Sequence, residues 1–173
     1  MKPPIARLGL PAALSSPRYL ADYNEVKTMG SLTSPTRTAD QTIYSLFWNS
    51  GTASYLWNRA AVSLIEARNR DRRDVTPANT QNTLLENARL LGTLGVAMAD
   101  AAIACWNAKY TFVFWQPITA IRTDDGNPAT DQDTAWSPLF ATPGHPEYPS
   151  GHSCLSGAVV ANYVLAHGLQ RVY

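Results

Sequence analysis

The 173-residue sequence is sparing with several signals that usually announce a function. Cysteine is one: Cys105 and Cys154 are the whole complement, too few for a disulfide framework. They leave one bridge or two thiols open, and with them the redox compartment. Charge of one sign is another. Lys+Arg 14 against Asp+Glu 13 gives a net charge of +1 with no basic stripe, so no nucleic-acid or acidic-membrane partner is expected. Long uninterrupted apolar runs are absent as well. The most apolar stretch, Leu90–Trp106, is broken by Gly92, Gly95 and Asp100 and ends against Asn107 and Lys109. A buried helix is expected there rather than a transmembrane span. Pro3, Pro4, Arg7 and Pro11 interrupt any leader-like core, so no signal peptide is expected in these residues. The sequence has no internal repeat, no low-complexity tract and no convincing strand pair.

What is present is material for a core. Hydrophobic residues make up 45% and charged residues 16%, which excludes a disordered polyelectrolyte and fits one domain or a piece of one. Residues 1–17 are proline-rich and expected to be extended, with a helical domain over 18–173. Tyr19, Tyr23 and Val26 share a face of a helix over Ser16–Gly30. Ala39, Ile43, Leu46 and Phe47 form a stripe over Thr36–Ser50. Over Thr52–Asn69, Leu56, Ala60 and Leu64 with Trp57, Ala61 and Ile65 make a broad apolar face. Arg68–Asp74 (RNRDRRD) reads as a solvated turn, and Thr76-Pro77 as a cap and first position of a helix from about Asn79 to about Phe112. The second half of that helix is apolar on nearly every side, as in the middle of a bundle, with Asp100 as a buried, hydrogen-bonded carboxylate. Pro117–Arg122 is a short helical turn, and Thr123–Tyr148 a loop long enough to carry function or lack order. Ser150 to about His167 closes the series as a helix packing Leu155, Val159 and Tyr163. The expected class is all-α.

The sharpest local feature is Pro149-Ser150-Gly151-His152 at the start of that last helix. Amides at a helix start lack intrahelical acceptors and carry partial positive charge, so they favour anions. Ser150 adds a hydroxyl donor, Gly151 lets an anion approach the backbone, and His152 can act as acid or base near neutral pH. A capped helix with a polar first turn explains the same four residues without chemistry. The second feature is Lys109 at the end of the apolar helix, followed by Tyr110 to Trp115 and then Gln116-Pro117. Held inside, its ammonium needs an anion or carboxylate; snorkelling over Tyr110 and Phe112 is the plainer reading.

Together the two features resemble the vanadium-dependent haloperoxidases and the type 2 phosphatidic acid phosphatase superfamily, from about Leu20 to the end. That signature is Lys, six residues, Arg-Pro; then Pro-Ser-Gly-His; then Ser-Arg, five residues, His. Lys109 with Gln116-Pro117 follows the first part, and Pro149 to His152 matches the second in full. DAAIACWNAKYTFVFWQPITAIR and HPEYPSGHSC look like the bacterial and plant haloperoxidase-like branch. The resemblance implies a helical bundle that binds vanadate, or phosphate as a substrate group, without a metal-cation site. Lys109 would neutralise the oxyanion, Ser150 and the Gly151 amide would donate to its oxygens, and His152 would be the catalytic acid–base. The implied partners are small molecules: halide and hydrogen peroxide in a peroxidase, a phosphate ester in a phosphatase. The resemblance leans towards a periplasmic or secreted protein and is compatible with a homo-oligomer.

The sequence departs from the signature twice. Gln116 stands where the family has arginine, which removes a charge from the oxyanion site, and Arg122 is the candidate to replace it. The third motif does not occur in the 21 residues after His152; His167 and Arg171 are in the wrong order and spacing. The expectation is a fold incomplete at its C-terminus, with exposed apolar surface and little or no turnover in the isolated chain. Three other readings compete with this one. Zinc on His145, His152 and Cys154 matches no common pattern and lacks a fourth ligand. A serine hydrolase using Ser150 with His152 fails because neighbours two apart on a helix point in different directions. A non-enzymatic helical binding module would use the 123–148 loop, with Trp136, Phe140 and Tyr148, as its contact surface.

Overall fold

Six helices hold most of the chain in the computed structural model, which describes residues 9–70 and 84–167. They are α1 (Pro17–Met29), α2 (Ala39–Asn49), α3 (Ala53–Arg70), α4 (Leu84–Phe112), α5 (Pro117–Arg122) and α6 (Gly151–His167). Among the described residues no strand forms; a single antiparallel bridge pairs Ser31 with Pro138. The turn at Arg68–Asp74 and the Thr76-Pro77 start lie outside the described side chains, as do Tyr163, His167 and Arg171. Cys105 and Cys154 make no disulfide.

The chain divides into two units, Met1–Asn49 with Trp106–Ser150, and Ser50–Cys105 with Gly151–Tyr173. In the first, α1 begins as its sequence dictates. The Ser16 hydroxyl accepts from the Tyr19 amide at 3.1 Å, and Pro17 occupies the first turn, where a missing N–H is harmless. Gly30 ends the helix, its amide donating to the Val26 carbonyl at 2.8 Å; a β-carbon there would meet that carbonyl oxygen at 2.6 Å. Tyr19 and Tyr23 turn one face of α1 onto Ile121 and Trp136, with Ala12, Phe114, Trp115 and Ile118 around them.

The 123–150 segment is ordered by its own side chains. The carboxylates of Asp124, Asp125 and Asp133 accept from amides two residues on, and the Asn127 side chain does the same for Ala129. Trp136 is buried, and its indole N–H donates to the Lys27 carbonyl at 2.8 Å. It belongs to the core of this unit and is not part of an outward contact surface, which removes the central residue of the binding-module reading.

In the second unit Ala53, Leu94, Met98, Leu155 and Val159 form the core, with Trp57, Ala61, Ala102 and Cys154 against it. The α3 contribution is the narrow row Ala53, Trp57, Ala61, at successive four-residue steps, rather than the broad face expected. Leu64 is exposed. The Trp57 indole N–H donates to the Ser156 hydroxyl of α6 at 2.9 Å, so the one polar atom of the largest side chain in this row is satisfied.

Two expectations of burial fail. No residue of α2 is buried, and Ile43, Leu46 and Phe47 are exposed. The second half of α4 is not enclosed: Val96, Ile103 (69% exposed) and Tyr110 face outward, and Asp100 is exposed rather than a buried carboxylate. A stripe is a necessary condition for burial, and a second element must still lie against it. By length and composition, Leu84–Arg122 is also apolar enough to cross a membrane, which the reading of Leu90–Trp106 had denied; the core helix of a bundle meets the same criteria.

Candidate functional site: a buried lysine and the Pro-Ser-Gly-His motif

Lys109 lies in the last turn of α4, where helix carbonyls favour a cation. It does not snorkel. Its side chain is 1% exposed, and Nζ donates to the carbonyls of Pro146 at 2.7 Å and Glu147 at 2.9 Å. The Trp106 ring, three residues back on the same helix face, lies 5.8 Å from Nζ, within cation–π range. The helix then stops at Val113, whose φ of 46° is left-handed, a region a β-branched residue rarely enters. The reversal sends Phe114 and Trp115 back to line the core.

The segment leading into the Pro-Ser-Gly-His turn is laced to this corner. The Gln116 side-chain amide donates to the His145 carbonyl at 2.6 Å, and the Glu147 amide donates to the Phe114 carbonyl at 3.0 Å. His145 packs edge-on to Trp106, with ring centroids 5.4 Å apart, and its Nδ1 lies 3.1 Å from the Pro146 carbonyl. Residues 145–147 are therefore held by Lys109, Gln116, Trp106 and Phe114. The Tyr148–Pro149 peptide is cis.

Ser150 is exposed and immediately precedes α6. Gly151 is the first residue of that helix and His152, also exposed, the second. Because α6 is 17 residues long, its leading amides are true helix-start donors. Arg122 is engaged elsewhere: Nε donates to the Trp136 carbonyl at 2.6 Å and Nη2 to the Ser137 hydroxyl at 3.1 Å.

An ammonium has three donors, and two are engaged here by neutral carbonyls. Among the described residues no carboxylate lies within ion-pair range of Lys109. A buried cation without a counter-charge is costly, and an oxyanion would supply one. The residues present thus suit an oxyanion. Among the described residues, no group of three His, Cys, Asp or Glu is placed to hold a metal ion.

Comparison with known proteins bears on the same residues. The model of the VCPO second helical-bundle domain matches residues 89–171, which take in Lys109, Gln116, Arg122, Ser150, Gly151 and His152. A vanadium chloroperoxidase from Curvularia inaequalis is 33% identical over 145 residues, 75% of this chain. This chain belongs to the vanadium haloperoxidase superfamily. It spans 23% of the length of the Curvularia enzyme. No solved structure matches it. Within this superfamily member, the all-α helical-bundle class agrees with the sequence expectation.

The supports of Lys109 were not all anticipated. Trp106 was legible, being three residues away on a helix that the sequence already implied. His145 and the Pro146 and Glu147 carbonyls were not, because backbone acceptors 37 and 38 residues away leave no mark in residue type.

Proposed function

We propose that this haloperoxidase-family chain carries the Lys109 and Pro-Ser-Gly-His portion of an oxyanion site, and that vanadate is its intended guest. The observation that carries the reading is the burial of Lys109 on two carbonyl oxygens with no carboxylate in ion-pair range among the described residues. In the proposed site Lys109 supplies the fixed positive charge. Ser150 donates its hydroxyl and Gly151 its helix-start amide. His152 holds or delivers a proton at the solvent-facing side. Vanadate, when bound, supplies the centre at which hydrogen peroxide is taken up for halide oxidation. The protein's part is preorganised donors that need not rearrange as charge develops. The name of the Curvularia relative favours the peroxidase reading over phosphate-ester hydrolysis, although both chemistries use the same donors.

Gln116 gives the site one positive charge fewer than the family pattern. Its amide is occupied by the His145 carbonyl, and Arg122 is held by Trp136 and Ser137. We therefore expect weak oxyanion binding and little turnover. Titration of orthovanadate followed by ⁵¹V NMR tests this. The wild type should bind, Lys109→Ala and His152→Ala should bind more weakly, and Gln116→Arg should bind about tenfold more tightly, the worth of one charge-assisted contact. Equal, non-saturable spectra for all four proteins would reject the site and favour a helical module without oxyanion chemistry.

A further inference from the structure

A cavity of about 520 Å³ lies in the first unit, and neither Lys109 nor Ser150 lines it. Its volume suits a small molecule. One wall is the irregular segment 9–12, which the Tyr148 hydroxyl holds by donating to the Gly9 carbonyl at 2.6 Å. Tyr19, Tyr23, Phe114, Trp115 and Tyr148 share the remaining walls with Ile121. The polar ends of the tyrosines are already engaged. Tyr23 donates to the Asp131 carbonyl at 2.9 Å, and the Tyr19 hydroxyl meets the Trp115 indole N–H and the Asp125 carboxylate, which does not line the cavity. What the rings leave for a guest is hydrocarbon and π surface, which takes flat apolar groups and, through the ring quadrupole, cations.

The charged residues of the lining are Arg18, Asp22 and Glu147. Arg18 and Asp22 stand one turn apart on α1, Nε to Oδ2 at 3.8 Å, with side chains 84% and 62% exposed. They offset one another and lie in solvent, where either charge is screened. Glu147 differs. It is half-buried, and among the described residues no lysine or arginine comes within ion-pair range of its carboxylate. Its backbone is fixed at both ends, the amide donating to the Phe114 carbonyl at 3.0 Å and the carbonyl accepting from Lys109 Nζ at 2.9 Å. The lining thus carries one negative charge without a counterpart, on a tethered segment, among aromatic rings. A partly desolvated carboxylate gains from a cation and repels an anion.

We propose that this cavity binds an organic cation with an aromatic body, of the arylalkylammonium class, its ring among the aromatic walls and its ammonium on the Glu147 carboxylate. The pocket goes beyond the oxyanion reading and does not rest on it. The cavity uses the Glu147 side chain, whereas Lys109 takes only that residue's carbonyl.

The test compares three probes that share one ring system, each titrated into the full chain: 2-(1-naphthyl)ethylamine, protonated at neutral pH, 2-(1-naphthyl)ethanol, and 1-naphthylacetate. Binding is followed through the Trp115 indole resonance in ¹H–¹⁵N spectra, assigned by its loss in Trp115→Phe. The amine should give a saturable shift. The alcohol should bind about tenfold more weakly, the worth of one charge-assisted contact, and the acetate more weakly still. Glu147→Gln should bring the amine down to the affinity of the alcohol and leave the alcohol where it was. Equal affinity of amine and alcohol for the wild type would overturn the proposal in favour of an apolar groove without charge selection. Tightest binding of the acetate would overturn it in favour of Arg18 as the selecting group. No saturable shift with the amine would overturn it outright, and so would an amine-to-alcohol ratio that Glu147→Gln leaves unchanged. The three-probe comparison needs only the wild-type protein, so it decides the matter even where a substitution disturbs folding.

Discussion

Replacing Lys109 with methionine separates the two roles the structure gives this side chain. Methionine is close in length and apolar, so packing changes little while the charge and the donors vanish. Two hydrogen bonds from a charged donor, to Pro146 at 2.7 Å and Glu147 at 2.9 Å, are lost. Hydrogen bonds to charged groups contribute about 1.5–3 kcal/mol each. Against this, the substitution removes the cost of keeping an ammonium at 1% exposure, itself several kcal/mol. The difference leaves a net destabilisation of about 2 kcal/mol. Urea unfolding should show it as a midpoint lower by about 1 M, with an unchanged slope. The effect on anion binding has no such offset. A unit charge at about 4 Å with an effective dielectric constant of about 20 contributes about 4 kcal/mol. Orthovanadate affinity should therefore fall by about two to three orders of magnitude. Wild-type affinity in Lys109→Met would refute the assignment of this ammonium to an anion site. An unchanged urea midpoint would refute its role as the tether of residues 146 and 147.

Three further outcomes follow from the same structure. The Tyr19 hydroxyl is pushed up to about 12, by burial first and the Asp125 charge second. The unfolded chain releases its proton near pH 10 and the folded one only near 12. This contribution to stability is complete below pH 10 and disappears as pH rises towards 12, amounting to at most about 3 kcal/mol; Tyr19→Phe should flatten that part of the stability–pH curve, and a curve unchanged by the substitution would contradict the assignment. Val113 is exposed and left-handed at a φ of 46°, so Val113→Gly should raise stability by about 0.5–1 kcal/mol in urea unfolding, with a loss of stability counting against the strain. The outward Val96 and Ile103 of α4 should make the protein self-associate, and the pair Val96→Lys, Ile103→Lys should shift sedimentation towards monomer; identical profiles would show that this face is not the adhesive one.

Much of the local structure was legible because its causes are local. Ser16, Pro17 and Gly30 bound α1 by capping, proline placement and a close approach that only glycine allows, and each can be read from residue type. The positions of α3 and α6 followed from periodicity, and the Pro149 to His152 turn from its order of proline, small residues and helix start. The row of α3 that packs was harder to read, since Leu64 and Ala61 lie on neighbouring stripes and only the presence of α6 selects Trp57 and Ala61. Likewise α2 has a clean apolar stripe and buries none of it.

By itself, the order of residues settled the all-α class, the approximate places of the helices and the two motifs that mark the haloperoxidase superfamily, because capping, 3.6-residue periodicity and motif spacing act within a few residues of the chain. Tertiary structure alone decided that Lys109 is buried rather than snorkelling, that Gln116 and Arg122 are held by backbone carbonyls, that Trp136 is core, and that Asp125 and Trp115 come to lie beside the Tyr19 hydroxyl. Each of those outcomes depends on which distant backbone or ring arrives opposite a side chain, and carbonyl oxygens, identical at every residue, leave no trace of that in the sequence.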